Sequence, residues 1–212
     1  MRSITTLFIL LFIFSLNNLN AQSDWKYGVL GGFTISDVNG DTADALNTSS
    51  SESFHAGFTV EFPINKKWSF QTYLLYSEQG FEFDTDLGTG EVELTYINVP
   101  FMANYYLIEG LHVSAGPQIG FALDKELTLA DGTKGDIRNV VNSDFGLNAG
   151  LGYKTKFGLF FNAMATFGIT DIFNTRTDLR LEPGDVAFLP NQTDIDIQNM
   201  TFTFSIGYMF KR

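Results

Sequence analysis

The chain has 212 residues, with 22 Phe and 20 Gly but only 5 Pro and no Cys, a mean hydropathy of +0.03 and a net charge of −11. The absence of Cys excludes disulfides, a lipid-modified N-terminal Cys, a thiol nucleophile and a soft-metal site, and the acidic balance excludes nucleic acid as a partner. High Phe and Gly at near-zero hydropathy is unlike a soluble enzyme and fits a barrel that is greasy outside and small and polar inside.

Residues 1–21 predict a cleaved export signal. Arg2 supplies the positive start, Leu7 to Leu16 an apolar stretch of ten residues, and Asn20-Ala21 before Gln22 a small-residue cleavage site. A membrane-spanning helix needs roughly 20 apolar residues, so the stretch is too short for an anchor. The mature domain is then 22–212.

Eight alternating runs follow, at about 25–35, 53–62, 67–83, 91–107, 111–123, 143–153, 157–169 and 198–210. In the first, Trp25, Tyr27, Val29 and Phe33 fall on one parity, with Lys26 and Gly28 on the other. The second sets Phe54, Ala56, Phe58, Val60 and Phe62 against His55, Thr59 and Glu61. In the fifth, Leu111, Val113, Ala115, Pro117, Ile119 and Phe121 oppose Gln118. The seventh sets Phe157, Leu159, Phe161, Ala163, Ala165 and Phe167 against Asn162. The last sets Phe202, Phe204, Ile206, Tyr208 and Phe210 against Thr201, Thr203, Ser205 and Gly207. One face is bulky and apolar, and the other is too small and polar to form a core, as in a strand with lipid outside and a narrow lumen inside.

Connections at 63–66, 108–110 and 154–156 are short, whereas 36–52, 84–90, 124–142 and 170–197 are longer and polar. Strict alternation puts four loops on one side, and three turns with both termini on the other. The expected fold is all-β, an eight-stranded antiparallel up-and-down transmembrane β-barrel in the outer membrane, with both termini periplasmic. A soluble lipocalin-like barrel would place its apolar face inside. Periodicity does not choose between the two; the signal, the Gly-rich inner parity and the loop asymmetry together favour lipid outside.

Two runs break parity. Val92 and Leu94 are even where Ile97, Val99 and Phe101 are odd, and Trp68, Phe70, Leu74 and Tyr76 are even where Phe81 and Phe83 are odd. A one-residue shift predicts a β-bulge in each, in strands that project beyond the bilayer. Trp25, Trp68, Tyr105, Tyr153 and Tyr208 all fall at the periplasmic strand ends, as an aromatic girdle does. The loop regions with their flanks carry 20 acidic and 5 basic residues. That is a solvated surface, or one able to bridge through divalent cations to lipopolysaccharide. Asp37-Val38-Asn39-Gly40-Asp41 begins like a calcium loop, but Thr42 and Thr48 stand where Gly and Glu are wanted, and a polar turn is the default.

No residue set predicts catalysis, a cofactor or a metal. His55 and His112 are expected at opposite rims, too far apart to share a site, and only His55, near Ser53 and Glu52, lies where an outer-rim hydrolase would act. Lys26, Glu61, Gln71, Tyr73, Asn98, Asn104, Gln118, Asn148 and Asn162 all take the inward parity. In a barrel narrow enough to be filled by its own side chains, they are expected to form one connected polar network, anchored by a Lys26–Glu61 ion pair.

Tyr27-Gly28-Val29-Leu30-Gly31-Gly32-Phe33, Phe70 to Gly80, Tyr96-Ile97-Asn98-Val99-Pro100, Gly116-Pro117-Gln118-Ile119-Gly120 and Asp144 to Tyr153 resemble the PorT-like outer membrane beta-barrel family of Bacteroidetes, often labelled porin-family. The resemblance covers nearly the whole mature chain, although the chain ends Phe210-Lys211-Arg212 instead of on its terminal aromatic. It implies an outer-membrane barrel with no catalytic residue, and a namesake implicated in protein secretion. The expected role is an accessory or structural subunit of an outer-membrane complex, for secretion or assembly, surrounded by lipid and lipopolysaccharide and touching another outer-membrane protein. A narrow small-solute channel is the alternative.

Overall fold

The structure is a computed structural model and describes residues 25–40, 48–85, 88–130, 132, 134–136, 143–171 and 197–210. The expected export signal, Asp41 to Thr48 of the calcium-like segment (save Thr48) and most of 170–197 lie outside these residues. Among these residues nine strands form in chain order: β1 Lys26–Asn39, β2 Ser49–Pro63, β3 Trp68–Thr85, β4 Gly88–Tyr106, β5 Leu111–Leu129, β6 Lys134–Asp136, β7 Ser143–Lys154, β8 Leu159–Asp171 and β9 Gln198–Phe210. Eight of them close into a ring in which each pairs antiparallel with its neighbours and β9 returns to β1. Strand β6 is an appendage on the far end of β5, with Glu126 opposite Asp136. Closure leaves no sheet edge within the ring, the condition for carrying strands through hydrocarbon.

The register fixes the barrel's stagger. Lys26 lies opposite Glu61, Glu61 opposite Gln71, and Gln71 opposite Met102. Crossing to β5 in the register of Ala103 and Ala115, the path continues through Asn148, Thr166 and Thr201 and returns to β1 at Ser36, ten residues beyond its start. Such a stagger requires tilted strands and a lumen that side chains can fill.

At one end the strands join through tight turns at 64–67, 107–110 and 155–158. Asn65 Oδ1 accepts from the amides of Lys67 and Trp68, and Gly110 and Gly158 supply φ of 86° and 104°. Trp25, Trp68, Tyr105, Tyr153 and Tyr208, expected as a girdle, lie at this end. Trp25 stacks edge-on against Phe62 at 4.8 Å, Trp68 lies 4.9 Å from Tyr105, and Lys67 sits over the Tyr105 ring.

The expected bulges in the third and fourth runs are not there. In β3 the odd residues point inward without a break, from Gln71 through Ser77 to Phe81 and Phe83; in β4 the even residues do so, from Asn104 through Asn98 to Leu94 and Val92. Parity is constant and polarity inverts. Up to Tyr76 and Ile97, which pair, the outward residues other than Thr72 are apolar; beyond them the outward parity carries Glu78, Glu82, Glu91 and Glu93. Where lipid gives way to water the greasy face turns inward, and Phe81, Phe83, Val92, Leu94, Tyr96, Leu127 and Ile197 form a cap core against Val38. The register does shift elsewhere, between β4 and β5 at Thr95 and Tyr96, and between β2 and β3 within 50–55.

Two expected loops are also strand. Thr85 pairs with Gly88, so 84–85 and 88–90 belong to the two arms of a tall hairpin, and 124–129 extends β5 beside it. Asp37 to Asn39, read as the start of a calcium-like turn, continue β1 against β9. Lower down, two prolines, which have no amide to donate, each stand at a ladder gap: pairing skips from Thr72–Phe101 to Leu75–Asn98 where Pro100 faces β3, and from Pro100–Gln118 to Ala103–Ala115 where Pro117 of β5 faces Phe101. Thr72 Oγ1 donates to the Pro100 carbonyl at 3.0 Å and satisfies the acceptor left there.

Candidate functional site

The inward residues of β3 read the lumen layer by layer: Ser69 and Gln71, then Tyr73 and Leu75, then Ser77 and Gln79, then Phe81 and Phe83. Polar and apolar layers alternate from the turn end to the loop end.

The turn-end layer is built on a buried ion pair. Lys154 Nζ lies 2.8 Å from Glu61 Oε1, 2.9 Å from Gln71 Oε1 and 3.0 Å from the Tyr106 hydroxyl, so all three ammonium protons have acceptors. Glu61 Oε1 also accepts from Ser69 Oγ at 2.7 Å and from Tyr106 at 2.6 Å. Gln71 donates to Thr59, and Asn104 Nδ2 donates to Gln71 Oε1 and Ser69 Oγ. Hydrogen bonds of this kind offset the burial of an ion pair; here all of the carboxylate's bonds fall on Oε1, and Glu61 Oε2 and Asn104 Oδ1 are buried without a hydrogen-bond partner.

The expected partner was Lys26, and this is corrected. Lys26 does face Glu61 across the β1–β2 ladder, but as the first residue of its strand it stays exposed at the mouth, where water solvates it. Lys154, read as a turn residue, is the last residue of β7 and shares inward parity with Asn148 and Gly152. The narrow lumen lets it reach across to β2. Lys154, Tyr106, Ser69 and Thr59 are the members that the sequence reading missed; parity alone identifies Lys154.

Above this layer Leu30, Tyr73, Leu75, Met102, Phe160 and Met209 pack together with Met164. The single connected network is therefore also corrected: among the described residues the polar groups fall into separate clusters. Glu61, Gln71 and Asn104 share the turn-end cluster. Asn162 Nδ2 donates to the Tyr73 hydroxyl at 3.0 Å, and Asn148 Nδ2 to Gln118 Oε1 at 3.2 Å. Asn98 lies near Asp144 at the loop end, where Asn199 also donates to Gln79.

Both histidines face the lumen, 3% and 1% exposed; His112, the second residue of β5, stands at the turn end as expected, whereas His55 lies within the barrel opposite Gly32 and Ser77 instead of at the outer rim. His55 Nδ1 is 3.0 Å from Thr34 Oγ1 and its Nε2 2.8 Å from Ser205 Oγ. The arrangement has a serine beside a histidine, but the group orienting the ring is a hydroxyl where a hydrolase needs a carboxylate. Ser53 instead donates to the Glu78 carbonyl. Among the described residues, no three His, Cys, Asp or Glu are grouped to hold a metal.

Residues 20–174 match the family described as "Outer membrane protein beta-barrel domain". Among curated proteins no sequence matches this chain. In structure the chain is similar to Neisserial surface protein A, with a TM-score of 0.52 at 9% identity, covering 87% of this chain and 97% of that one. Ail, the attachment invasion locus protein of Yersinia pestis, gives a TM-score of 0.48 at 13% identity, covering 88% and 99%. OprG of Pseudomonas aeruginosa gives 0.47 at 15%, covering 90% and 98%. At these identities the likeness is one of fold. The family match spans most of the chain: it belongs to the outer membrane protein beta-barrel family and is an outer-membrane β-barrel.

Proposed function

We propose that this outer-membrane barrel passes no solute and serves as an accessory or structural subunit of an outer-membrane complex, in protein secretion or assembly. The observation that carries this reading is the filled lumen. The Lys154–Glu61 cluster, the Phe160–Met209 layer and the Phe81–Tyr96 cap each place side chains across the axis. The PorT-like resemblance of β1, β3, β4, β5 and β7 accords with it.

The outer face offers a surface for such a role. Phe33, Phe204, Ala163 and Leu151 form one row across four strands, and Ile206, Phe161 and Tyr153 the next. Between them runs an apolar groove of about 430 Å³, open because Ala163 is small. Another membrane-embedded apolar surface would seat there.

Planar-bilayer recording tests the reading. Silence is expected; stable conductance steps at low salt would favour the narrow channel. A photo-crosslinker at Ala163 should give a protein adduct in cells, and lipid adducts alone would count against a partner. The turn end is proposed to be periplasmic after removal of residues 1–21. Protease added to whole cells should then cut within 36–53 or 170–197 and spare the 155–158 turn, while cleavage at that turn would reverse the orientation.

A further inference from the structure

We propose that the 64–67 turn, with the aromatic pair beside it, binds the phosphate headgroup of an anionic phospholipid. Each of the three tight turns carries a bare apolar side chain: Ile64, Ile108 and Phe157 are 68%, 65% and 64% exposed. Repeated at every turn, that exposure is unfavourable in open water. It suits turns that lie in the bilayer interface, level with the headgroups.

Charge separates the three turns. Lys156 of the third is paired with Glu109 of the second at 3.3 Å, and Lys154 is held by Glu61 inside the lumen. Lys66 and Lys67 of the first are exposed and belong to none of the ion pairs among the described residues. From Phe62 to Thr72 the chain has no acidic residue. This turn therefore keeps two uncompensated positive charges on one arc of the ring.

The geometry directs one of them to the lipid side. Lys67 Nζ stands 5.9 Å over the Tyr105 ring, and that ring packs at 4.9 Å on Trp68, its partner across the β3–β4 ladder. In the next outward row Phe70 lies opposite the small Ala103, a step along which an acyl chain can lie. A phosphate at girdle height thus meets an ammonium, with the polar tips of Trp68 and Tyr105 at the same level. In a zwitterionic lipid the headgroup's own cation opposes the lysines; a net-negative headgroup leaves its charge to them. The choice of phospholipid over lipopolysaccharide rests on the periplasmic placement of the turns proposed above.

The chain's two tryptophans, Trp25 and Trp68, both lie at this end, so Trp25→Phe leaves Trp68 as a local reporter. The variant is reconstituted in phosphatidylcholine vesicles that contain a lipid spin-labelled high on one acyl chain. Labelled phosphatidylglycerol should quench Trp68 in preference to labelled phosphatidylcholine, at low salt by about 30-fold, each lysine contributing about fivefold. Lys66→Gln with Lys67→Gln should fold to the same heat-modifiable barrel and abolish the preference, whereas Lys156→Gln should keep it. Equal quenching by the two lipids, or an unchanged preference in the double variant, would overturn the site. Lipid A relieving the quenching more effectively than unlabelled phosphatidylglycerol would overturn the assignment to phospholipid.

Discussion

Lys154 at the end of β7 and Glu61 near the end of β2 share no ladder, yet their charged atoms stand 2.8 Å apart across the lumen. The pair ties opposite walls of the ring at the turn end. Tyr106 from β4 and Gln71 from β3 complete the tie, so four strands meet on one ammonium. A closed wall and a filled lumen are then the same feature seen from two sides.

Removing the ammonium strands a carboxylate. Lys154→Ala is expected to cost about 3–5 kcal/mol, whereas Lys154→Ala with Glu61→Gln should cost less, because no buried charge is left. Lys26→Ala, at the exposed mouth, should stay within about 0.5 kcal/mol. Urea unfolding followed by the fluorescence of Trp25 and Trp68 gives all three values. A larger loss from Lys26→Ala than from Lys154→Ala would reverse the assignment of the pair.

The polarity inversion predicts different consequences for two phenylalanines of similar sequence context. Phe81 is fully buried in the cap, and Phe58 faces outward, 64% exposed. Phe81→Ala should cost the cap about 3–5 kcal/mol and speed proteolysis at the hairpin tip near 85–88 while the barrel stays folded. Phe58→Ala should leave that cleavage rate unchanged. Equal rates in both variants would mean that the cap core does not hold the hairpin.

The strands, their order and the face each turns to lipid were legible in the sequence, because alternation has the same period as the structure it reports. The cap was not. A run such as Gln71 to Phe83 looks like a slipped register when its apolar residues change parity, and alternation cannot distinguish a bulge from a change of solvent. The lumen's membership followed from parity, which places Gln71, Asn98 and Asn148 inside, but its pairings did not. Which inward residues meet depends on stagger across the ring, and the ten-residue offset that carries Lys154 to Glu61 has no local signature. Closure of the ring alone fixes that offset.

Gly116 tests how tightly that closure is set. A Cβ there would fall 1.9 Å from the Phe101 carbonyl oxygen, in the β4–β5 ladder gap that holds Pro117 and Gly116. The oxygen belongs to backbone and has no rotamer to escape by. Gly116→Ala should therefore cost about 1–3 kcal/mol through overpacking and slow refolding into lipid vesicles. Wild-type stability would show that β4 and β5 have slack at this level.

The acidic outer face of the cap supplies a pH dependence. Glu82 sits opposite Glu91, and Glu93 opposite Glu126, whose other neighbour is Lys134. Like charges directly opposite on adjacent strands oppose pairing. Partial burial and then the Glu91 carboxylate hold Glu93's carboxyl above the usual carboxylate range, with Lys134 pulling the other way. A carboxyl whose pKa is higher folded than unfolded weakens the fold when ionised. The cap should therefore become firmer as pH falls from neutral through that raised value, and gain nothing more once the pH is below the ordinary carboxylate range. Solvent screening keeps the effect within about 0.5 kcal/mol, so the comparison is made against Glu93→Gln. Amide hydrogen exchange along 91–95, corrected for intrinsic rates, should slow on acidification in the wild type and respond less in Glu93→Gln. The same pH response in both proteins would place the sensitivity on another carboxylate.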